Sequence, residues 1–158
     1  MIRRAAPADV PALVGLVYDL AEYEKSRHEC ELTDEQLHAA LFGPNPAVFA
    51  HVAQDDSSDA VLGCAIWFLN FSTWTGTHGI YLEDLYVKPE ARGLGLGKAL
   101  LTALAREAVA RGFHRVDWSV LDWNTPSIDF YDSLGARPQT EWTGYRLEGD
   151  ALAALGRS

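Results

Sequence analysis

The fold is decided by residues 85–98, Leu85-Tyr86-Val87-Lys88-Pro89-Glu90-Ala91-Arg92-Gly93-Leu94-Gly95-Leu96-Gly97-Lys98, where an apolar strand turns into a glycine-rich helix start. Glycines at alternate positions leave backbone N–H groups uncrowded by Cβ atoms at the N-terminus of that helix. Such donors, together with the helix dipole, attract an anion such as pyrophosphate. The segment therefore predicts a site for a phosphorylated ligand, although glycines that serve only helix packing would leave the same pattern.

The glycine spacing excludes two common nucleotide-binding loops. A dinucleotide fingerprint, GxGxxG, fails because Lys98 stands where its third glycine is required. A Walker loop, GxxxxGK followed by Ser or Thr, fails because its first position is Arg92 and its last is Ala99. The pattern that fits is Arg-x-x-Gly-x-Gly over residues 92–97, placed between a strand and a long amphipathic helix.

Hydrophobic periodicity and capping signals place this loop inside an α/β domain with a mixed sheet. Helices are predicted from Pro7, from the capping box at Thr33, from Gly95 and from Asn124. Strands are predicted over residues 2–5, 48–53, 61–71, 80–87, 116–121 and 141–147. Because no repeat, linker or low-complexity segment interrupts this order, residues 1–158 are predicted to form a single domain.

The charge balance indicates which classes of molecule the chain can bind. The chain has 13 Lys and Arg against 22 Asp and Glu, a formal net charge of −9. Nucleic-acid binding requires clustered basic residues, so no nucleic-acid partner is predicted. An acidic field favours a cationic small molecule, although acidity also serves solubility alone.

The sequence also gives expectations for the compartment and for membrane association. The most apolar stretch, residues 61–71, falls short of the ~20 residues that cross a bilayer. The N-terminal residues lack the apolar region of a secretory signal. Cys30 and Cys64 lie in dissimilar contexts and are expected to be free thiols. We therefore expect a cytoplasmic protein with no membrane association.

Three separated motifs resemble one superfamily, the GCN5-related N-acetyltransferases (GNAT), and within it the diamine (spermidine/spermine-type) and thialysine N-acetyltransferases. They are the glycine loop with the preceding Tyr81-Leu82-Glu83-Asp84, the segment Trp123-Asn124-Thr125-Pro126-Ser127-Ile128-Asp129-Phe130-Tyr131, and Leu20-Ala21-Glu22-Tyr23-Glu24. The resemblance covers essentially the whole chain in element order. It implies a GNAT-like α/β fold, a mixed and mostly antiparallel central sheet of about 6–7 strands flanked by about 4 helices.

The resemblance also implies acetyl-CoA as co-substrate and assigns the residues that bind it. Backbone groups of Leu85, Tyr86 and Val87 would bind the pantetheine arm and the acetyl carbonyl, where the strand splays from its neighbour. The pyrophosphate would be held by Arg92, Gly93, Leu94, Gly95, Leu96, Gly97 and Lys98. The other flank of the cofactor would contact Asn124, Thr125, Pro126, Ser127 and Tyr131.

Acetyl transfer to an amine requires a base, because an alkylammonium with pKa ~10.4 opposes deprotonation at pH 7 by roughly 4.6 kcal/mol. Glu83 is the candidate, since packing hardly explains an acidic pair inside an apolar strand. Strand alternation predicts that Glu83 and Asp84 point to opposite faces. An ordinary carboxylate is poorly matched to an amine, so we expect either a water chain or a raised pKa. The alternative is a charge that protects an edge strand from aggregation.

The leaving thiolate departs more readily if a phenol protonates it. The family resemblance gives this general-acid role to Tyr131, whose alternative is a core aromatic beside Phe130. A covalent acetyl-cysteine route is less attractive, because Cys64 has no histidine nearby in sequence and Cys30 lies in a charged connection. We therefore expect direct attack of the amine in a ternary complex.

The acceptor site is predicted from the same resemblance. By resemblance, the substrate-binding residues are Tyr23, Glu24, Glu83, Asp117 and Trp118. Carboxylates would pair with an ammonium group and an aromatic ring would stack on it. A solvated helix end explains the acidic residues near Glu24 equally well, and interleaved basic residues such as Lys25 argue against a highly charged polyamine. A polyamine, a diamine and a lysine-like amino acid all remain open as substrates.

The resulting prediction is an acetyl-CoA-dependent N-acetyltransferase acting on a primary amine of a small cationic molecule. Two alternatives are a protein or peptide N-acetyltransferase and a non-catalytic sensor of acyl-CoA. No metal is predicted, because the five histidines share no metal-ligand spacing. The resemblance further implies a homodimer. It also matches Trp74 to an aromatic residue near the acceptor, although a tryptophan at a hairpin end that packs against a dimer partner explains this position equally well.

Overall fold

In the computed structural model, which describes residues 1–158, five strands form one mixed sheet in sequential order. They are β1 (Ile2–Arg4), β2 (Phe49–Gln54), β3 (Val61–Ser72), β4 (Thr77–Val87) and β5 (Val116–Asp117). The first four pair antiparallel and β5 pairs parallel with β4. The predicted α/β class with a mixed, mostly antiparallel sheet is confirmed, whereas the predicted count of 6–7 strands is wrong.

Five α-helices accompany the sheet, one more than predicted. They are α1 (Val10–Tyr23), α2 (Asp34–Phe42), α3 (Leu96–Ala110), α4 (Thr125–Ser133) and α5 (Gly149–Gly156). The predicted capping box of α2 is confirmed: the backbone N–H of Gln36 donates to Thr33 Oγ1 at 3.2 Å, and that of Thr33 donates to Gln36 Oε1 at 3.0 Å. These bonds satisfy donors that a helix start leaves unpaired.

The chain divides into two compact units, residues 1–119 and 120–158. The first contains the whole sheet and helices α1 to α3. Its core includes Leu13 and Leu16 of α1 and Leu100 and Leu104 of α3, all at most 1% exposed. Burying each of these side chains contributes roughly 1.5–3 kcal/mol. Helix α3 contacts β2, β3 and β4, so the glycine loop that precedes it is anchored on a packed layer.

The strands predicted after α3 account for the difference in count. Of residues 116–121, only Val116–Asp117 forms a ladder. Residues 141–147 form no strand, because they find no partner strand, and Tyr145 in this segment is 96% exposed. The chain then forms α5, which the sequence pattern did not predict. None of the helices combines the length and hydrophobicity needed to cross a membrane.

Candidate active site

A β-bulge at Glu83 interrupts strand β4. The β3–β4 register pairs Ile66 with Asp84 and Trp67 with Leu82, which leaves Glu83 as the extra residue. A bulge breaks the alternation of side chains and re-aims them locally. The expectation that Glu83 and Asp84 simply point to opposite faces therefore does not apply at this point of the strand. Glu83 is exposed, whereas Asp84 is half-buried.

Three carboxylates influence one another around this bulge. Burial raises the pKa of Asp84 to about 6, and the nearby charges of Glu83 and Glu24 add to the shift. Burial, and then repulsion from Glu83, also raises the pKa of Glu24, which follows directly after α1. Like charges in one place disfavour ionisation of each member. A cation bound among these residues would relieve that repulsion.

The glycine loop has the backbone of an open anion site. Gly93 and Gly95 adopt φ values of +83° and +76°, which side chains with a Cβ rarely tolerate. A Cβ at Gly93, Gly95 or Gly97 would meet no atom within 4 Å, so these glycines do not serve close packing. Gly95 caps α3 without a side-chain hydrogen bond, and the first turn carries no acidic residue. The first amides of α3 therefore have no intrahelical partner and are available to a ligand.

Arg92 connects the loop with β4 and the end of α1. Its Nε donates to the carbonyl oxygen of Val87 at 3.1 Å. Its guanidinium carbon lies 5.6 Å from the ring centre of Tyr23 and 5.5 Å from that of Tyr86. These distances lie within the range of cation–π attraction. The structure thus brings Tyr23, predicted to bind the acceptor, next to Arg92, predicted to bind the cofactor.

The C-terminal half of β4 lacks a strand partner on one side. Its parallel ladder with β5 consists of Ile80 with Val116 and Tyr81 with Asp117. On the other side, Leu85, Tyr86 and Val87 remain paired with β3. The two strands therefore stop pairing before the segment predicted to bind the pantetheine arm. Backbone groups on that side of Leu85–Val87 have no ladder partner.

Asp117 already has protein partners. Its Oδ2 forms an ion pair with Arg115 Nε at 3.1 Å and accepts a hydrogen bond from Asn70 Nδ2 at 3.3 Å. This carboxylate is therefore compensated within the protein, unlike that of Asp84, which accepts no hydrogen bond. Trp118 follows β5 directly. The role of Asp117 and Trp118 in substrate binding stays a prediction.

The second unit carries the remaining predicted residues on α4. Asn124 caps this helix, accepting a hydrogen bond from the backbone N–H of Ser127 at 3.4 Å. Pro126 occupies the first turn, next to Thr125, where a missing N–H costs nothing. Tyr131 lies in the same helix, half-buried, with its ring centre 5.5 Å from that of Phe130. Its role as the acid stays a prediction.

The two cysteines are free. Cys64 is 1% exposed, and burial together with the charge of Asp84 raises the pKa of its thiol. A thiol held protonated is a poor nucleophile. No group of three or more His, Cys, Asp or Glu side chains is arranged to hold a metal ion.

Sequence reasoning missed Asp84 as a candidate functional residue. The acidic pair in an apolar strand was the available signal, and it pointed to Glu83. The bulge, which depends on how β3 and β4 pair, brings Asp84 under the influence of Glu83 and Glu24. The raised pKa expected of a base therefore falls on Asp84.

Comparison with known proteins gives consistent similarities. The sequence profile of the acetyltransferase (GNAT) family matches residues 15–136. The chain is 37% identical to a thialysine N-epsilon-acetyltransferase of Sus scrofa, over 98% of this chain and 96% of that protein. It is 31% identical to the L-ornithine N5-acetyltransferase NATA1 of Arabidopsis thaliana, over 99% and 87%. A solved integron cassette protein from the mobile metagenome of V. cholerae superposes with a TM-score of 0.82 at 30% identity, covering 100% of this chain and 98% of that one.

Proposed function

Because the chain belongs to the acetyltransferase (GNAT) family and is an acetyltransferase, we propose that it transfers an acetyl group from acetyl-CoA to the primary amine of a small cationic molecule. The substrate is a diamine, a polyamine or a lysine-like amino acid. The observation that carries this proposal is the group of three carboxylates at the β4 bulge, on the strand that leads into the glycine loop.

The loop geometry fits the diphosphate of acetyl-CoA. The residues that hold it are Arg92, Gly93, Leu94, Gly95, Leu96, Gly97 and Lys98. The first amides of α3 are unpaired, the glycines leave open space above them, and Lys98 adds positive charge. The edge of Leu85, Tyr86 and Val87 has no ladder partner, and apart from the Val87 carbonyl, which accepts from Arg92, it offers hydrogen bonds to the pantetheine arm. Asn124, Thr125, Pro126, Ser127 and Tyr131 contact its other flank.

The carboxylates at the bulge favour a cationic acceptor. Glu24, Glu83 and Asp84 repel one another when all are ionised, and a bound ammonium group offsets that repulsion. Tyr23 offers an aromatic ring beside them, and Asp117 and Trp118 extend the site along β5. The similar proteins named for thialysine and L-ornithine act on amino acids that carry a side-chain amine. This similarity favours a lysine-like amino acid or a small diamine over a long polyamine.

The exposed position of Glu83 suits a base that acts through water. Glu83 receives the proton of the ammonium group by way of solvent at the bulge, which leaves the amine neutral and nucleophilic. The thioester of acetyl-CoA supplies an activated acetyl group and a thiolate leaving group. Tyr131 protonates that thiolate. As the C–N bond replaces the C–S bond, the nitrogen loses its second proton to solvent, and a proton from solvent restores the neutral phenol of Tyr131.

Attack is direct, in a ternary complex of enzyme and two substrates. The observation that supports this is the state of Cys64, which is buried and whose thiol pKa is raised. A covalent acetyl-enzyme would require a reactive thiolate in contact with both substrates.

A cytoplasmic homodimer is part of the same proposal. Free cysteines are typical of a reducing compartment. In the first unit Trp74 is 90% exposed, and in the second Trp142 and Tyr145 are 72% and 96% exposed. Large exposed aromatic side chains are typical of protein interfaces.

A turnover assay with acetyl-CoA and a panel of acceptors tests the proposal. The panel contains thialysine, lysine, ornithine, short diamines, spermidine and peptides with free N-termini. The expected result is the highest kcat/KM with a small acceptor that carries an amine several bonds from a second charged group. Highest kcat/KM with peptides would contradict the proposed substrate class, and tight acetyl-CoA binding without any turnover would contradict catalysis.

A further inference from the structure

A cleft of about 730 Å³ lies between β1, β2 and α3. Its walls include Arg4 of β1, His51 of β2 and Arg106 of α3, and it reaches the start of α3 at Lys98. None of the carboxylates at the β4 bulge contributes to it. Its volume is in the range of pockets that bind small molecules. Gly95 and Lys98, which the proposed function assigns to the diphosphate of acetyl-CoA, also line this cleft, whereas its other lining residues have no part in the proposed acetyl transfer.

The cleft concentrates positive charge in an acidic protein. Four basic residues line it, Arg3, Arg4, Lys98 and Arg106, against one acidic residue, Glu107. Two of the four are neutralised: Arg3 pairs with Asp9 at 2.7 Å, and Arg4 pairs with Glu107 at 2.8 Å. Lys98 and Arg106 form no ion pair. On a chain with a net charge of −9, this local excess points to an anionic ligand.

His51 presents a hydrogen-bond donor with no protein partner. The indole Nε1–H of Trp67 donates to His51 Nδ1 at 3.1 Å, and an indole nitrogen cannot accept. Nδ1 is therefore unprotonated, and the neutral ring carries its proton on Nε2. Burial and the charge of Arg4 lower the pKa of His51, while Glu107 acts in the opposite direction, so the ring is neutral at pH 7. The side chain is only 6% exposed, it lines the cleft, and its Nε2–H makes no hydrogen bond within the protein.

The α3 wall of the cleft suits an elongated molecule. Ala99 and Ala103 lie between Lys98 and Arg106, the two unpaired cations, and their small side chains leave room for a ligand along the helix. The hydroxyl of Thr102 donates back to the carbonyl oxygen of Lys98 at 2.7 Å. Eight residues separate Lys98 from Arg106, which corresponds to about 12 Å along a helix. The two cations therefore stand at opposite ends of an apolar wall.

We propose that this cleft binds a small molecule with an anionic group at each end of a short apolar chain, and that it shares Lys98 with the proposed diphosphate site of acetyl-CoA. One anionic group pairs with Lys98 and the other with Arg106. The Nε2–H of His51 donates a further hydrogen bond to the ligand. Carboxylate and phosphate groups share the required chemistry, because both accept hydrogen bonds from cations and from an imidazole N–H.

Calorimetry with the full chain tests this site with three probes. Suberate carries two carboxylates, hexane-1,6-diyl bisphosphate carries two phosphates, and octanoate lacks one anionic end. Arg106→Gln removes a cation of the cleft that lies two turns from the glycine loop. Arg157→Gln makes the same change near the C-terminus, in the other unit, and is the matched control. The Trp67 indole resonance, observed by NMR, reports contact at His51.

The expected result is millimolar or tighter binding of at least one dianion, and the stronger of the two identifies the preferred anionic group. Octanoate should bind about tenfold more weakly. Arg106→Gln should weaken dianion binding about tenfold and Arg157→Gln less than twofold, and the Trp67 indole resonance should shift on binding. The proposal is overturned if neither dianion binds, if Arg106→Gln binds as well as the unsubstituted protein, or if binding leaves the Trp67 resonance unmoved.

Discussion

Replacing Asp84 by asparagine should stabilise the protein at neutral pH. Folding raises the pKa of this carboxyl from 3.8, its ordinary value, to about 6. The folded state therefore holds the proton more tightly than the unfolded chain does, and ionisation costs stability. The cost is absent below pH ~4, grows between pH ~4 and ~6, and is complete above that range at about 3 kcal/mol at most.

Asparagine removes this cost, but it introduces a half-buried amide that reduces the gain in stability by about 1 kcal/mol. Because the carboxylate of Asp84 accepts no hydrogen bond, the substitution loses none. The expected net gain at pH 7.5 is about 2 kcal/mol, which corresponds to an increase in Tm of about 4–8 °C for a chain of this size. At pH 5 most of the gain should disappear, since the ionisation cost is then about half as large.

Thermal unfolding followed by circular dichroism at pH 5 and pH 7.5 measures the effect. Asp122→Asn is the matched control, because it removes the same charge from an exposed position. Its Tm should change by less than 1–2 °C at either pH, as surface substitutions usually do. A gain for Asp84→Asn that is equal at both pH values, or a loss at both, would refute the assignment of an unfavourable buried charge at the bulge.

Three further predictions test the site. Tyr131→Phe should lower kcat by about 10² or more with little change in acetyl-CoA affinity, whereas an unchanged kcat would remove Tyr131 from the acid role. Gly95→Ala should destabilise the protein by about 1–2 kcal/mol in urea unfolding, because this position has a positive φ. Gly97→Ala is the control and should not destabilise the protein, because no strain arises there. Equal effects of the two substitutions would contradict the loop geometry. Glu24→Gln should raise KM for the amine about tenfold with a small change in kcat, measured by initial rates over amine concentration, and an unchanged KM would exclude Glu24 from acceptor binding.

The parts of the fold that depend on local signals could be predicted from the sequence. The start of α2 was predictable because Thr33 and Gln36 satisfy each other's backbone groups within one turn. The turn into α3 was predictable because alternate glycines permit the positive φ values seen at Gly93 and Gly95. Such signals act over a few residues and need no knowledge of the rest of the chain.

The parts that depend on distant partners could not be predicted. Residues 141–147 were predicted to form a strand, but a strand forms only where a ladder partner exists. The bulge at Glu83 depends on the register between β3 and β4. The cleft depends on β1 meeting α3, where the ion pair between Arg4 and Glu107 joins residues 103 positions apart.

The candidate site likewise combines features that follow from local sequence signals with features that depend on distant parts of the chain. The loop residues and Glu83 follow from motifs in the sequence, whereas the raised pKa of Asp84 follows from tertiary burial. Similarly, the contact of Arg92 with Tyr23 joins the glycine loop to the end of α1, two segments that share no sequence pattern.

In the proposed mechanism, open amides at the start of α3 hold the diphosphate of acetyl-CoA and so direct its acetyl group toward an amine at the carboxylates. Calorimetric titration with acetyl-CoA and with acetyl-pantetheine, which lacks the diphosphate, tests it most directly. Acetyl-CoA should bind about 100-fold more tightly than acetyl-pantetheine, since several charge-assisted hydrogen bonds are lost with the diphosphate. Equal affinity for the two compounds, or no affinity of the folded protein for acetyl-CoA, would contradict it.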